Sequence, residues 1–107
     1  MNLKELTIAK SIKGLKMKEF SSVELTTACL RQVEEKNESL NAMLTVDKKI
    51  AIQAAEEADK KIASGSAVSL TGIPFSVKDA ICTKGVRSTG SAKILDNYVP
   101  AFEATVI

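Results

Sequence analysis

The sequence contains no histidine and no tryptophan, and only two of its 107 residues are cysteine. Because histidine is absent, the Ser-His-Asp and Cys-His arrangements of nucleophilic catalysis are excluded within this chain. A base that works near neutral pH must then be a carboxylate, a lysine or a group from another chain. Cys29 and Cys82 lack a CxxC spacing, which predicts two reduced thiols and favours neither a disulfide nor a structural zinc site.

The sequence also has no large excess of positive or negative charge. The 15 basic and 13 acidic residues are interspersed and leave a net charge of +2, so the sequence shows no electrostatic footprint for nucleic acid. No stretch approaches the roughly 18 consecutive apolar residues of a membrane span, and the first residues contain no apolar segment typical of a signal peptide. We therefore expect a soluble, unexported, cytoplasmic protein without membrane contact.

The composition is that of a globular domain. Hydrophobic residues make up 45% of the chain and charged residues 26%, which disfavours disorder. A chain of 107 residues is long enough for one small domain and too short for a large multilayer enzyme. We expect one domain over 1–107, mainly helical over about 1–65, with strands and loops over 66–107.

Two helices are predicted in the first third of the chain. Apolar side chains recur at helical spacing over 3–13, and Gly14 follows as a stop. Ser21 and Glu24 have the spacing of a capping box just before a second periodic run. The second helix is therefore expected over 22–36.

The middle of the chain alternates between extended and helical patterns. A polar turn is expected over 37–41, and the apolar run over 42–46 suits a short buried strand. Isoleucine and alanine then recur every four residues over 48–63. This period predicts a third helix, with Asp47 as its N-cap and Gly65 as its C-cap.

A second buried strand is predicted over 73–77, with Pro74 among its first residues because proline cannot donate to a ladder. Loop residues follow, and 92–95 suits one helical turn. The order helix, helix, strand, helix, strand is that of an α/β fold.

Lys78 is the sharpest candidate for chemistry. It follows the second predicted strand and precedes a loop of small and polar residues, and active sites of α/β sheets collect at that end of a strand. To accept a proton near neutral pH a lysine must be neutral, which burial against an apolar strand favours. From spacing alone, a strand-end lysine that reaches water or pairs with a carboxylate is the commoner explanation.

Two neighbouring features are ambiguous. Asp79 has three possible roles, as a charge partner, as a loop cap or as part of a catalytic network, and loop capping is the commonest at a strand exit. The STGS segment at 88–91 suits either a turn or a set of hydroxyl and N–H groups for an oxyanion. No GxxxxGK[ST] or GxGxxG motif is present, so the sequence does not indicate a phosphate-binding glycine loop.

Taken together, these segments resemble the start of an amidase-signature enzyme. The similarity covers the whole chain and is most specific in LTGIPFSVKD at 70–79, then TKG at 83–85, STGS at 88–91 and PAFEATV at 100–106. Within that family, residues 21–25, 40–42 and the alanine-rich third helix are most similar to the A subunits of glutamyl-tRNA(Gln) amidotransferases. The resemblance implies the truncated N-terminal part of a mixed sheet covered by helices. Unpaired strand edges would then favour self-association, the swapping of elements between chains, or partial disorder after about Lys78.

The resemblance also implies a Ser-cis-Ser-Lys mechanism. Lys78, acting through a bridging serine, would help to deprotonate the nucleophilic serine that attacks the amide carbon of glutamine. The released ammonia would convert Glu-tRNA(Gln) to Gln-tRNA(Gln) in a partner subunit that uses ATP and Mg²⁺. Subunits B and C are the expected partners, the tRNA is expected mainly on the partner subunit, and this chain is expected to bind no cofactor or metal itself.

Both serines of the family pattern lie beyond Ile107, so we expect the 107-residue chain alone to be inactive towards glutamine. Ala80 stands where related sequences usually have Asn, and Ala92 where they usually have Ser. Two alternatives remain open. One is a non-enzymatic interaction module in which Lys78 is a relic, and the other is an amidase of the same family with another amide substrate.

Overall fold

The computed structural model describes all residues, Met1–Ile107. It contains three α-helices, which are α1 (Ile8–Lys16), α2 (Ser22–Leu40) and α3 (Lys48–Ser64), and two single-turn 3₁₀ helices at Leu3–Glu5 and Lys93–Leu95. The second 3₁₀ helix confirms the helical turn expected over 92–95. No helix combines the length and apolar character needed to cross a membrane.

The predicted α/β fold with its mixed sheet is wrong, because the chain forms no β-strand. The only bridge is an isolated antiparallel pair between Thr83 and Val86. A strand needs hydrogen bonds from a neighbouring strand, whereas a helix satisfies its own backbone. Neither predicted strand, 42–46 or 73–77, has such a neighbour in this chain. The self-association expected from strand edges stays a prediction.

The chain divides into two compact units. The first unit consists of Met1–Ala42 and Lys48–Pro74 and holds the three α-helices. The second unit consists of Met43–Asp47 and Phe75–Ile107 and is irregular apart from one 3₁₀ turn. Lys78 and the STGS segment both belong to the second unit.

The first predicted helix, over 3–13, is wrong at both ends. Helix α1 begins at Ile8, after a separate 3₁₀ turn at Leu3–Glu5, and it continues through Gly14, so Gly14 is not a stop. The helix ends instead at a Schellman motif, in which Lys18 takes the left-handed position with φ 56°. There the N–H of Glu19 donates to the carbonyl of Gly14 at 2.9 Å. Gly14 is buried because the ring of Phe20 lies directly over it, at a distance that leaves no room for a Cβ. Close packing, not helix termination, explains this glycine.

Helix α2 begins at the predicted capping box. The Ser21 hydroxyl accepts the N–H of Glu24 at 3.0 Å, and the Glu24 carboxylate accepts the N–H of Ser21 at 2.7 Å. The predicted end at residue 36 is wrong, since α2 reaches Leu40 and Asn41 is its left-handed C-cap with φ 49°. The mostly polar residues 37–40 thus form the largely exposed last turn of the helix, because polarity by itself does not distinguish a turn from a solvated helix end.

Helix α3 confirms its prediction to within one residue. Gly65 stands at the left-handed position after it with φ 76°, and the N–H of Ser66 donates to the carbonyl of Lys61 at 3.0 Å, which completes a Schellman motif. The N-cap role of Asp47 stays a prediction. Helices α2 and α3 pack against each other, with the start of α2 beside the end of α3 and an ion pair between Glu34 and Lys48 at the opposite ends. They are therefore antiparallel.

The apolar core is small. Leu15, Leu25 and Ala55, all in the first unit, are the buried hydrophobic side chains. Many large apolar side chains are exposed, and Ile94 and Phe75 in the second unit expose 93% and 72% of their surfaces. A chain that buries so few apolar side chains gains little stability from the hydrophobic effect.

Backbone hydrogen bonds between loop segments organise the second unit. The N–H of Gly85 donates to the carbonyl of Pro100, and the N–H of Ser88 donates to that of Tyr98, both at 3.0 Å. Ser88, Thr89 and Pro100 are buried. The interior of this unit is therefore formed by small and polar residues, and polar residues of this kind need internal hydrogen-bond partners.

Candidate functional site

Lys78 lies in a segment of the second unit without regular secondary structure, and its side chain is exposed. Its carbonyl accepts the N–H of Ile81 at 3.0 Å, which starts a turn. The ion pairs of the chain join Lys48 to Glu34 and Arg87 to Asp96, so the ammonium group of Lys78 has no carboxylate partner. The apolar burial that would favour a neutral lysine is not supplied by these residues, and the catalytic role of Lys78 stays a prediction.

Asp79 connects the segment that carries Lys78 to the STGS segment. Its carboxylate accepts the N–H of Thr89 at 2.8 Å and also the Thr89 hydroxyl, while its carbonyl accepts the N–H of Gly90 at 2.9 Å. We call these three hydrogen bonds the Asp79–Thr89 link. Of the roles that the sequence left open for Asp79, capping matches the structure, although the capped segment lies ten residues further on.

The link has an electrostatic consequence. The hydrogen bond from the Thr89 hydroxyl, followed by those from backbone N–H groups, holds the pKa of the Asp79 carboxyl below its ordinary value. The positive charge of Arg87 acts in the same direction to a smaller extent. Asp79 is therefore ionised at neutral pH and accepts hydrogen bonds without donating any.

The STGS segment is a tight turn. Gly90 and Ser91 have φ values of 57° and 60°, and the N–H of Ala92 donates to the carbonyl of Thr89 at 2.9 Å. Two successive positive φ values at the centre of a hydrogen-bonded turn are typical of type I′. Glycine adopts such angles without cost, and Ser91 is the less usual occupant.

The oxyanion-binding alternative for this segment is not supported by the geometry. Every backbone N–H from 88 to 92 already donates within the unit: Ser88 to the carbonyl of Tyr98, Thr89 and Gly90 to Asp79, Ser91 to the Thr89 hydroxyl oxygen, and Ala92 to the carbonyl of Thr89. An oxyanion hole needs N–H groups that are free to point at the developing charge. The turn interpretation is the one that fits.

Arg87 is a structural residue that sequence patterns did not identify. Its guanidinium donates to the Thr45 hydroxyl oxygen at 3.1 Å and to both the carbonyl and the carboxylate of Asp96. The side chain is only 30% exposed. Thr45 and Asp96 lie 42 and 9 residues away from Arg87 along the chain, so no local sequence motif predicts these contacts.

The remaining features of the chain add no second site. No three His, Cys, Asp or Glu side chains lie together in a way that could hold a metal ion. Two surface cavities lie in the first unit, and neither includes Lys78 or Asp79. Burial raises the pKa of the Cys29 thiol, so this cysteine is less reactive than an exposed thiol.

Comparison with known proteins gives consistent relatives. The chain is 47% identical over all 107 residues to the A subunit of glutamyl-tRNA(Gln) amidotransferase from Geobacter metallireducens and, again at 47%, to that from Desulfatibacillum aliphaticivorans. The corresponding protein of Dehalococcoides mccartyi is 46% identical over 106 residues, or 99% of this chain. In each case the chain spans 22% of the relative's length. A family model described as Amidase matches residues 24–107, and the chain therefore belongs to the amidase family, as its resemblance predicted.

Proposed function

We propose that these residues form the lysine-bearing N-terminal part of the glutaminase subunit of a tRNA-dependent amidotransferase. The observation that carries the proposal is identity of 46–47% along essentially the whole chain to proteins named as the A subunits of glutamyl-tRNA(Gln) amidotransferases. The LTGIPFSVKD segment lies inside the region that the family model matches. The family membership supports amide chemistry, and the names of these relatives support an amidotransferase that serves glutamyl-tRNA(Gln). Glutamine as the amide donor is part of the proposal.

In this proposal Lys78 is the base of a Ser-cis-Ser-Lys centre. The nucleophilic serine attacks the amide carbon of glutamine, and its proton passes through a bridging serine to Lys78. The same proton then reaches the leaving nitrogen as the carbon–nitrogen bond breaks, which releases ammonia and leaves an acyl-enzyme for water to hydrolyse. Both serines would come from outside these 107 residues.

The exposure of Lys78 sets a requirement for this chemistry. A lysine works as a base near neutral pH when its surroundings disfavour the charged ammonium group. Since Lys78 is exposed here, those surroundings must be supplied by residues outside this chain. The proposal thus expects no glutaminase activity from the 107 residues alone.

The ammonia would be used elsewhere in the same complex. Conversion of Glu-tRNA(Gln) to Gln-tRNA(Gln) would take place on a partner subunit that binds ATP and Mg²⁺, with subunits B and C as the partners. Recognition of the tRNA would belong mainly to that partner, in keeping with the balanced charge of this chain.

A chimera tests the role of Lys78. In the chimera, these 107 residues replace the matching region of the Geobacter metallireducens protein. The match includes every residue of this chain. We expect Lys78→Ala to lower glutamine hydrolysis by about 100- to 10,000-fold, the usual contribution of a general base. Lys84→Ala is the matched control, because Lys84 is also an exposed lysine of the second unit. Equal activity of the two variants would reject the proposal.

The substrate is tested in the complete protein that carries these residues, together with subunits B and C. Glutamine hydrolysis that depends on Glu-tRNA(Gln) and ATP would support the amidotransferase assignment. Hydrolysis of another amide without glutamine hydrolysis would favour a different amidase of the family. No hydrolysis, with the complex still assembled, would favour a non-enzymatic interaction module.

A further inference from the structure

We infer that Asp79 is a positioning residue for Lys78, and that it acts by tying the backbone beside Lys78 to Thr89 and Gly90. The inference rests on the proposed function, because the position of Lys78 matters to catalysis only if Lys78 is the base. It names a residue pair that supports the centre without touching the substrate.

The hydrogen bonds of Asp79 hold the backbone next to Lys78. The Asp79 carboxylate accepts the N–H of Thr89 at 2.8 Å and the Thr89 hydroxyl, and the Asp79 carbonyl accepts the N–H of Gly90 at 2.9 Å. In the preceding peptide unit, the Lys78 carbonyl accepts the N–H of Ile81 at 3.0 Å. The backbone that carries Lys78 is therefore held at two adjacent points.

The residues at the other end of the link are buried and hydrogen-bonded. Thr89 is 3% exposed and Ser88 is 7% exposed, and the N–H of Ser88 donates to the carbonyl of Tyr98. The turn over 89–92 is closed by its own hydrogen bond. A link to a buried and internally bonded turn fixes a position better than a link to a mobile loop does.

The Lys78 side chain has no support of its own. It is exposed, and neither ion pair of the chain includes it. The direction in which the side chain leaves the backbone is then set by the backbone alone. Misplacement of a reacting group by about 1 Å can cost on the order of 100-fold in rate, so a loose backbone at this point would matter.

The charge state of Asp79 argues against a role in proton transfer. The hydrogen bonds from Thr89 lower the pKa of its carboxyl, so the group is ionised throughout the neutral range. An ionised carboxylate has no proton to donate, and a lowered pKa together with the hydrogen bonds from Thr89 to both of its oxygens makes it a weak base as well. What remains for Asp79 is to hold the backbone in place.

The experiment compares Thr89→Val with Thr89→Ser in the Geobacter metallireducens chimera. Valine removes the hydroxyl donor but leaves the Asp79 charge beside Lys78 intact, whereas serine keeps the donor. We expect Thr89→Val to lower kcat for glutamine about tenfold to a hundredfold with KM unchanged. Thr89→Ser should keep the kcat of the parent chimera. Thr45→Val is the control, because it removes one hydrogen bond in the same unit, that with Arg87, at a distance from Lys78 in the chain.

Two outcomes would overturn the inference. One is a Thr89→Val enzyme with the kcat of the parent chimera, and the other is Thr89→Ser with a kcat as low as Thr89→Val, which would indicate lost packing instead of a lost hydrogen bond. Lys78→Ala is measured in parallel. Activity in Lys78→Ala rejects the proposed function itself, whereas an inactive Lys78→Ala with a fully active Thr89→Val rejects only the positioning role.

If the chimera has no activity, a measurement on the 107-residue chain tests whether Asp79 holds the backbone in place. Amide hydrogen exchange followed by NMR should show slow exchange at Gly90, whose N–H donates to the Asp79 carbonyl. Asp79→Ala should speed this exchange at least about tenfold, while Thr45→Val should leave it unchanged. Equal exchange in the parent chain and Asp79→Ala would overturn the inference.

Discussion

The carboxylate of Asp59, on α3, accepts the backbone N–H of Ser22 at 2.7 Å at the start of α2. The same carboxylate accepts the N–H of Val23 at 3.2 Å. These are two of the donors that a helix N-terminus leaves without an intrahelical partner, and the capping box formed by Ser21 and Glu24 satisfies the next one. A negative charge at this position also interacts favourably with the helix dipole. Asp59 therefore fixes the end of one helix against the start of the other.

We expect Asp59→Ala to destabilise the first unit by about 2 kcal/mol, because two partly buried N–H groups lose their acceptor. Urea denaturation followed by helical circular dichroism measures this loss. Glu56→Ala is the control on the same helix, since Glu56 is exposed and should be close to neutral. Equal losses in the two variants would show that the Asp59 contacts contribute nothing specific.

Gly72 and Gly65 form a matched pair for a test of packing. Both have positive φ, 88° and 76°, so alanine at either costs about 1–2 kcal/mol of backbone strain. A Cβ on Gly72 would lie 3.1 Å from the Leu15 side chain and 3.3 Å from that of Ile62, whereas a Cβ on Gly65 would meet nothing within 4 Å. We expect Gly72→Ala to lose about 1 kcal/mol more than Gly65→Ala in thermal denaturation. Identical losses would argue against tight packing at Gly72.

The substitution Gly14→Ala should have two opposing effects on stability, one from helix propensity and one from packing. Alanine within a helix is favoured over glycine by about 1 kcal/mol. A Cβ at this position would lie only 2.4 Å from a ring carbon of Phe20, and overpacking of this kind costs about 1–3 kcal/mol. We expect a net loss of stability, which becomes a gain in a Phe20→Leu background. A double-mutant cycle measures the coupling, and additive effects would contradict the contact.

The stability of the second unit should depend on pH through Asp79. Its folded pKa is lowered by the hydrogen bonds from Thr89, so its contribution is complete above the unfolded pKa of about 4 and disappears as pH falls through the folded value. The urea midpoint of the parent chain should therefore exceed that of Asp79→Asn at pH 6, and the difference should vanish at strongly acidic pH. Tyr98, the single tyrosine, lies in this unit and reports its unfolding by fluorescence. A difference that persists in strong acid would contradict an ionised Asp79.

The helices were predictable because their signals are local. The capping box of α2 involves residues three apart, and the four-residue period of α3 and its terminal Gly65 lie within one segment. The strands were not predictable in the same way. An apolar run such as 73–77 becomes a strand only when another segment pairs with it, and no local pattern in the sequence can report that partner.

In the candidate site, too, the sequence predicted the local feature and missed the distant partner. Lys78 was identified from its place in the LTGIPFSVKD segment, and the family assignment through that segment is confirmed. The partner of Asp79 was not foreseen, because Thr89 stands ten residues away in a segment that also suited an oxyanion site. Only the hydrogen bonds of that segment distinguish the two interpretations, since they leave none of its N–H groups free.

Residue order alone thus established the amidase family, the three helices and the capping box that lies within a few residues of the start of α2. The absence of a sheet, the pairing of Asp59 with Ser22 and the link between Asp79 and Thr89 were settled by the folded chain. The physical reason is the range of the interactions. Helix periodicity and capping act over a few residues, whereas the choice of partner for a carboxylate or a strand depends on which distant segment the fold brings within hydrogen-bonding distance.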